Sequence, residues 1–253
     1  MNTAFLIARH EWRRLAVQPF AWTLAALVVA LMAWQFLLSL QGYLDLAPKL
    51  GGLADAPGVT DLVAIPLLRS FSNLLMLVLP LVTMRAIAGE RRAATLPLLL
   101  ASGSGSARIV LGKYIGALGY AWLMIALVAL MPLSLAHATP LDLGKLAAAL
   151  LGLALLAAAL VAIGVLCSAW ALQPALAAAS ALALTGLLAV VDAGARLQGV
   201  THSGINHLAL PTHFEPFMRG IVASVDIVYF VLLAGAALVL ATRRLDALRG
   251  SAD

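Results

Sequence analysis

Six long apolar runs, at about 20–40, 64–86, 109–136, 143–167, 174–195 and 225–242, are separated by short stretches that hold nearly all of the charge. About 20 apolar residues coiled as an α-helix match the hydrocarbon thickness of a bilayer, so each run is long enough to cross as a helix. Composition points the same way, with 63% hydrophobic and 11% charged residues, against roughly 25% charged in an ordinary soluble domain. Six crossings of a 253-residue chain leave no room for a separate soluble catalytic domain. The expected fold is therefore an all-α integral membrane protein, one transmembrane domain over 1–253 with six transmembrane helices.

Orientation follows from counting Lys and Arg by alternate loops. One side holds Arg9, Arg13, Arg14, Arg85, Arg91, Arg92, Arg108, Lys113, Arg243, Arg244 and Arg249; the other holds Lys49, Arg69, Lys145, Arg196 and Arg219. Basic residues are retained inside, so both termini are expected in the cytoplasm, in a multi-pass protein of a bacterial cytoplasmic (inner) membrane. Cys167 is the only cysteine, which excludes an intrachain disulfide and the cysteine-based metal patterns. The first 20 residues carry charge after their first apolar residues and no small-residue cleavage site, unlike a signal peptide.

Residues 1–19 place Phe5, Ala8, Trp12 and Leu15 on one helical stripe, with Arg9, His10, Arg13 and Arg14 turned away from it. This predicts an amphipathic helix lying in the cytoplasmic interface, Trp12 at headgroup depth, with Pro19 marking the bend into the membrane. On the outer side, 41–63 is Gly/Pro-rich and expected to be irregular. The stretch 196–224 is longer than a simple turn needs, and "FEPFMRGIV" suggests short re-entrant helices dipping back toward the outer leaflet.

The stretch 87–108 is the anomaly. Burying Arg85, Glu90, Arg91 and Arg92 in hydrocarbon would cost of order 10 kcal/mol, at about 2.5–3.5 per charge, so the chain must leave the membrane there. Thr95 is placed to cap a short helix with Pro97 in its first turn, "SGSGS" to end it, and Ser106 to cap the next span. A plain tether should be polar, whereas "LPLLLA" is apolar and rimmed by charge, which marks a docking surface. The segment is not a phosphate loop, because Ala107 and Tyr114 stand where G-x-x-x-x-G-K-[ST] requires glycine and a hydroxyl.

The segment "GERRAATLPLLLASGSGSARIVLGKYIGAL" resembles the cytoplasmic loop between the second and third spans of ABC-2 type permeases, where E-x-x-x-G-T-L-x-L-L-L precedes a polar turn and an I-V-L-G-K-[FY] span start. Glu90, Thr95, Leu96, Leu98, Leu99, Leu100 and the run from Ile109 to Tyr114 match; Ala94 stands at the usual glycine, Pro97 at a frequent glutamate and Gly103 at a frequent proline. The stretch "HFEPFMRGIVASVDIVYFVLLAGAALVLATRRLDALR" is similar to the gliding-motility-type branch, with its H-[FY]-E-x-[FI]-x-[RK]-G and D-[IV]-[VI]-Y-[FY] run before the last span.

This resemblance implies a membrane-spanning permease subunit that couples ATP hydrolysis to export or mechanical work. It implies two copies of an ABC ATPase, a second permease half that is identical or similar, and an auxiliary membrane subunit with an extracytoplasmic domain. ATP and magnesium would sit on the ATPase, with no cofactor in this chain and no chemistry of its own; nucleic acid is not an implied partner. Glu90, Arg91, Thr95, Leu96, Leu98, Leu99 and Leu100 would form the coupling helix, and Trp12, Arg13 and Arg14 the interfacial helix. Arg69 and Asp192, each about one turn inside an outer span end, are candidates to pair with one another or to line an outer gate with His213, Phe214 and Glu215.

Other readings are weaker. His202, His207 and His213 match no recognised metal spacing. His202-Ser-Gly-Ile-Asn206 is similar to the H-x-x-x-N element of prenyl-protein-type membrane proteases, but the paired-glutamate motif is missing, since Glu11, Glu90 and Glu215 are scattered. A non-transporting scaffold, driven by the same ATPase and acting on an extracytoplasmic partner, is the main alternative to a permease.

Overall fold

The computed structural model describes residues 3–50, 58–101, 105–137, 139–197 and 209–250. In order these form α1 (Thr3–Val17), α2 (Pro19–Leu50), a π-helical turn (Thr60–Ala64), α3 (Ile65–Thr83), α4 (Ala88–Arg92), α5 (Leu96–Ala101) and α6 (Ser106–Leu133). A 3₁₀ turn (Ser134–His137), α7 (Leu143–Trp170), α8 (Pro174–Leu197), α9 (Leu210–Met218) and α10 (Ser224–Gly250) complete the chain. The described residues contain no strand.

Five helical stretches are long and apolar enough to cross a membrane: Pro19–Lys49, Thr60–Arg92, Ser106–Ala136, Leu143–Trp170 and Ser224–Gly250. The fifth expected run is represented by a shorter apolar stretch, Pro174–Val190. Chain breaks fall where the local chemistry requires them. Proline supplies no N–H and is preorganised for a first helical turn, so α1 stops at Val17 and α2 restarts at Pro19. Asp142 caps α7 by accepting from the Lys145 amide at 2.9 Å.

The stretch 41–63 departs from its expected irregularity. α2 continues as helix to Leu50, through Pro48, and Thr60–Ala64 runs into α3 as a π-helical turn; 51–57 lie outside the described residues. Gln41, Tyr43, Leu44, Leu46 and Ala47 are ordinary helix formers, and the helix once propagating continues through Gly42 and Pro48.

The bundle is organised around α7, which packs against α3, α6, α8, α9 and α10. Ala149, Leu153, Leu156, Ala157, Leu160, Val161 and Val165 are all fully buried. The Ala/Leu tract of α7 is thus the centre of the protein. Small residues let neighbours come close without the help of a hydrophobic effect: a Cβ at Gly164 would lie 1.9 Å from Thr83 Oγ1, and one at Gly152 would lie 2.6 Å from Phe217 Cβ. α2 does the opposite. It buries only the narrow stripe Ala21, Ala25, Val28 and Met32 and turns Trp22, Leu27, Trp34 and Leu37 outward, as a helix at the lipid boundary would.

Candidate functional site

α1 lies along α6 because α6 has almost no side chain where they cross. Gly112, Gly116 and Gly119 recur at helical spacing. A Cβ at Gly116 would sit 2.7 Å from Glu11 Cβ and 3.1 Å from the Ala8 carbonyl, and one at Gly119 would sit 3.0 Å from the Trp12 ring. The buried positions of α1 are Ala8 and Glu11, while Trp12 is 39% exposed. α1 is therefore docked on a helix through a face containing a carboxylate, one residue round from the expected stripe; the Phe5 and Leu15 side chains lie outside the described residues.

That carboxylate meets a lysine. Lys113 stands seven residues into α6, about 10 Å along it, and its side chain is 1% exposed. Its ammonium donates to Glu11 Oε1 at 2.6 Å and to Glu90 Oε1 at 2.5 Å. Arg14 reaches the same Glu11 oxygen at 3.5 Å. A buried ammonium needs both hydrogen bonds and neutralising charge, and here one acid from α1 and one from α4 supply them. Three elements distant in sequence are thereby tied at one point.

α4 is also clamped to the end of α7. The Ser168 hydroxyl accepts from the Ile87 and Ala88 amides at 2.9 and 3.0 Å and donates to the Met84 carbonyl at 3.0 Å, closing the turn out of α3. Arg91 donates to the Ala171 and Ala169 carbonyls at 3.1 and 3.3 Å. These belong to the last turn of α7, where unsatisfied carbonyls favour a cation. Arg244 of α10 lies 5.0 Å over the Trp170 ring beside them.

Between α4 and α5 the chain turns at Ala94, whose φ of 55° is left-handed. This explains the glycine expected at that position, since alanine there costs about 1–2 kcal/mol more. Thr95 does not cap α5 with its side chain: its amide and hydroxyl both donate back to the Glu90 carbonyl, at 3.0 and 3.3 Å. Ser106 is likewise no cap. Gly105 occupies that position, and the buried Ser106 hydroxyl has no partner. On α5, Leu96 is buried and Leu98 is 73% exposed, with Leu99 packed against the core. The Leu100 side chain and residues 102–104 lie outside the described residues. Arg13 is exposed on α1.

At the opposite end of the bundle, Arg69 pairs with Glu215 at 2.7 Å, and Arg219 approaches the same oxygen at 3.4 Å. Arg69 thus finds a different acid from the one expected, and the Asp192 side chain lies outside the described residues. His213 is buried, with Nδ1 2.7 Å from Asp226 Oδ1 and its ring stacked on Tyr229 at 4.1 Å. Phe214 is buried in the core. His202 and His207 lie outside the described residues, among which no three His, Cys, Asp or Glu side chains gather as a metal site. Glu11, Ser168 and Gly116 were missed from sequence, and Asp226 was seen only as the first residue of the D-[IV]-[VI]-Y-[FY] run, not as a partner of His213. Gly116 carried a signal in the Gly112-Gly116-Gly119 spacing.

The site is thus a charged clasp that fastens the α1 and α4–α5 segments to the start of α6 and the end of α7. No protein-family model and no curated protein matches this chain.

Proposed function

We propose that the chain is the membrane-spanning permease subunit of a bacterial ABC transporter, with α5 as its coupling helix and the Glu11–Lys113–Glu90 clasp as the part that carries nucleotide-driven motion into the bundle. One observation carries the reading: α5, with its exposed apolar Leu98, follows directly on α4, which is bonded through Glu90 and Arg91 to α6 and to the end of α7, and through Lys113 shares a cation with Glu11 of α1. A push on α5 cannot be absorbed locally. It must move α4, and α4 is bonded to Lys113 and to the α7 terminus. A tether would need none of these bonds.

In this reading α8 is the sixth crossing and both termini are cytoplasmic, since the end that gathers Arg14, Arg85, Arg91, Arg92, Lys113 and Arg244 is the one retained inside. A second permease chain covers the groove between α2 and α3. Asn73 is exposed there, eight residues past Ile65 and ten before Thr83, which is roughly 12 Å from one end of α3 and 15 Å from the other. Gln35 and Ser70 bond to each other beside it at 2.5 Å. An amide left against hydrocarbon at that depth costs several kcal/mol, so it favours a protein or aqueous neighbour.

Two measurements test this. In a Cys167→Ala background, cysteines replacing Leu98 and Arg219 should be labelled by an impermeant reagent from opposite faces of the membrane; labelling of both from outside would refute the topology. The complex purified with its ATPase should contain two permease and two ATPase chains by native mass. Leu98→Asp should reduce ATPase co-purification at least tenfold, because a charge buried at a docking surface has no partner. Full retention of the ATPase by that variant would move the docking surface elsewhere.

A further inference from the structure

A second feature at the basic end is independent of that reading. Arg14 of α1, Met84 and Arg85 of the α3–α4 turn, Gly89 and Arg92 of α4, and Pro174 with Ala175 at the start of α8 line an open pocket of about 650 Å³, with Arg85 and Arg92 exposed at its rim. This is within the range of small-ligand sites. Three of its walls carry guanidinium groups and none carries a carboxylate. Of the nearby acids, Glu11 and Glu90 are both held by Lys113 through Oε1, at 2.6 and 2.5 Å, and Arg14 shares the Glu11 oxygen at 3.5 Å, which leaves Arg85 and Arg92 without a carboxylate partner among the described residues. The Arg92 side chain has no hydrogen bond or ion pair to the described residues. Arg85 has a single neighbour of note, lying 5.9 Å over the Phe20 ring. The first amides of α8 have no acceptor within their own helix, and this end of the helix carries its positive partial charge. Proline at position 174 removes one of those amides and leaves Ala175 in the pocket wall.

The surroundings are those of a membrane interface. Phe20, Trp12 and Trp22 are all exposed nearby on α1 and α2, as aromatic side chains are at headgroup depth. Leu172 and Leu176, within two residues of Pro174, are 67% and 57% exposed. A ligand whose anionic group enters the pocket can therefore lay an apolar tail on the same ledge.

We infer that this pocket is a binding site for a phosphate-bearing headgroup, an anionic phospholipid of the adjacent leaflet held by Arg14, Arg85, Arg92 and the α8 terminus. The planar guanidinium fork suits phosphate oxygens, and three such groups converging on one opening exceed what topology alone requires. Bound lipid would fasten α8 to the α1–α4 clasp, which among the described residues has no hydrogen bond or ion pair to α8.

The test uses the purified full-length protein and native mass spectrometry with dioctanoyl phosphatidylglycerol, dioctanoyl phosphatidylcholine and inorganic phosphate as probes. Phosphatidylglycerol should bind at least about tenfold more tightly than phosphatidylcholine. Arg85→Gln with Arg92→Gln should remove that preference, whereas Arg9→Gln with Arg13→Gln, outside the pocket, should leave it intact. Retention of phosphatidylglycerol against millimolar phosphate identifies the lipid as the occupant. Displacement by phosphate at similar affinity identifies free phosphate, with the same residues as the site. Equal binding of the two lipids, or full binding by the Arg85/Arg92 variant, overturns the proposal. Leu98→Asp should bind phosphatidylglycerol normally, so failure here and failure of the coupling reading are separable.

Discussion

Lys113→Met should destabilise the protein by about 3–5 kcal/mol, the usual result of removing one partner from a buried ionic group. Without the ammonium, Glu11 and Glu90, side chains 10% and 20% exposed, would lose the cation they share, and Glu11 would keep only Arg14 at 3.5 Å. Because Glu90 keeps some access to water, the lower half of that range is expected. Thermal unfolding of the detergent-solubilised protein measures it. Combining Lys113→Met with Glu11→Gln and Glu90→Gln should restore most of the loss, since neutral groups of similar shape remove the unpaired charge. On the permease reading proposed above, the triple variant should nevertheless fail to couple ATP turnover, because the bonds that join α1 and α4 to α6 are gone. A single variant that melts with the wild type would show that Lys113 is not held as the geometry indicates. Glu90→Gln on its own deprives a buried lysine of one of its two carboxylates.

Gly116→Val should release α1. The added Cβ would fall 2.7 Å from Glu11 Cβ and 3.1 Å from the Ala8 carbonyl, and the second contact is backbone, which cannot rotate away. Overpacking of this kind costs about 1–3 kcal/mol. Displacing α1 also draws Glu11 from Lys113, now 2.6 Å away, so the total should approach that of Lys113→Met. Two readouts separate detachment from general loosening: a lowered melting temperature, and new tryptic cleavage at Arg13 or Arg14 under conditions where the rest of the chain resists. Gly186→Ala is the control. A Cβ there meets nothing within 4 Å, and alanine in a helix interior gains up to about 1 kcal/mol over glycine. If Gly116→Val keeps both the melting temperature and the protease resistance of the wild type, α1 is not held against α6.

These two predictions rest on contacts that no stretch of sequence contains. The glutamates look scattered along the chain, yet two of the three, Glu11 and Glu90, converge on one lysine and the third, Glu215, pairs with Arg69. Lys113 was visible as a charge just inside a span and Glu90 as a charge that had to leave the membrane. Neither position says that they touch. His213 was grouped with its neighbours His202 and His207, while its partner, Asp226, lies on the next helix.

What the sequence by itself determined were the properties that act along one segment: an all-helical chain with long apolar runs, a break at Pro19, a short apolar helix after Glu90, and a strong asymmetry of Lys and Arg. Each follows from the length, charge or cap chemistry of a few consecutive residues. Which face packs on which neighbour was decided only by the tertiary structure. In a soluble helix the apolar face announces the core, but α7 is apolar all round and would read the same in lipid as in the centre of the bundle, where it lies. Helix contacts here are chosen by close fit at small residues and by pairing of a few polar groups, as at Gly116 against Glu11, Gly164 against Thr83 and Lys113 between two acids. Such matches exist only between segments, and apart from the Gly112-Gly116-Gly119 spacing they leave no period along either one.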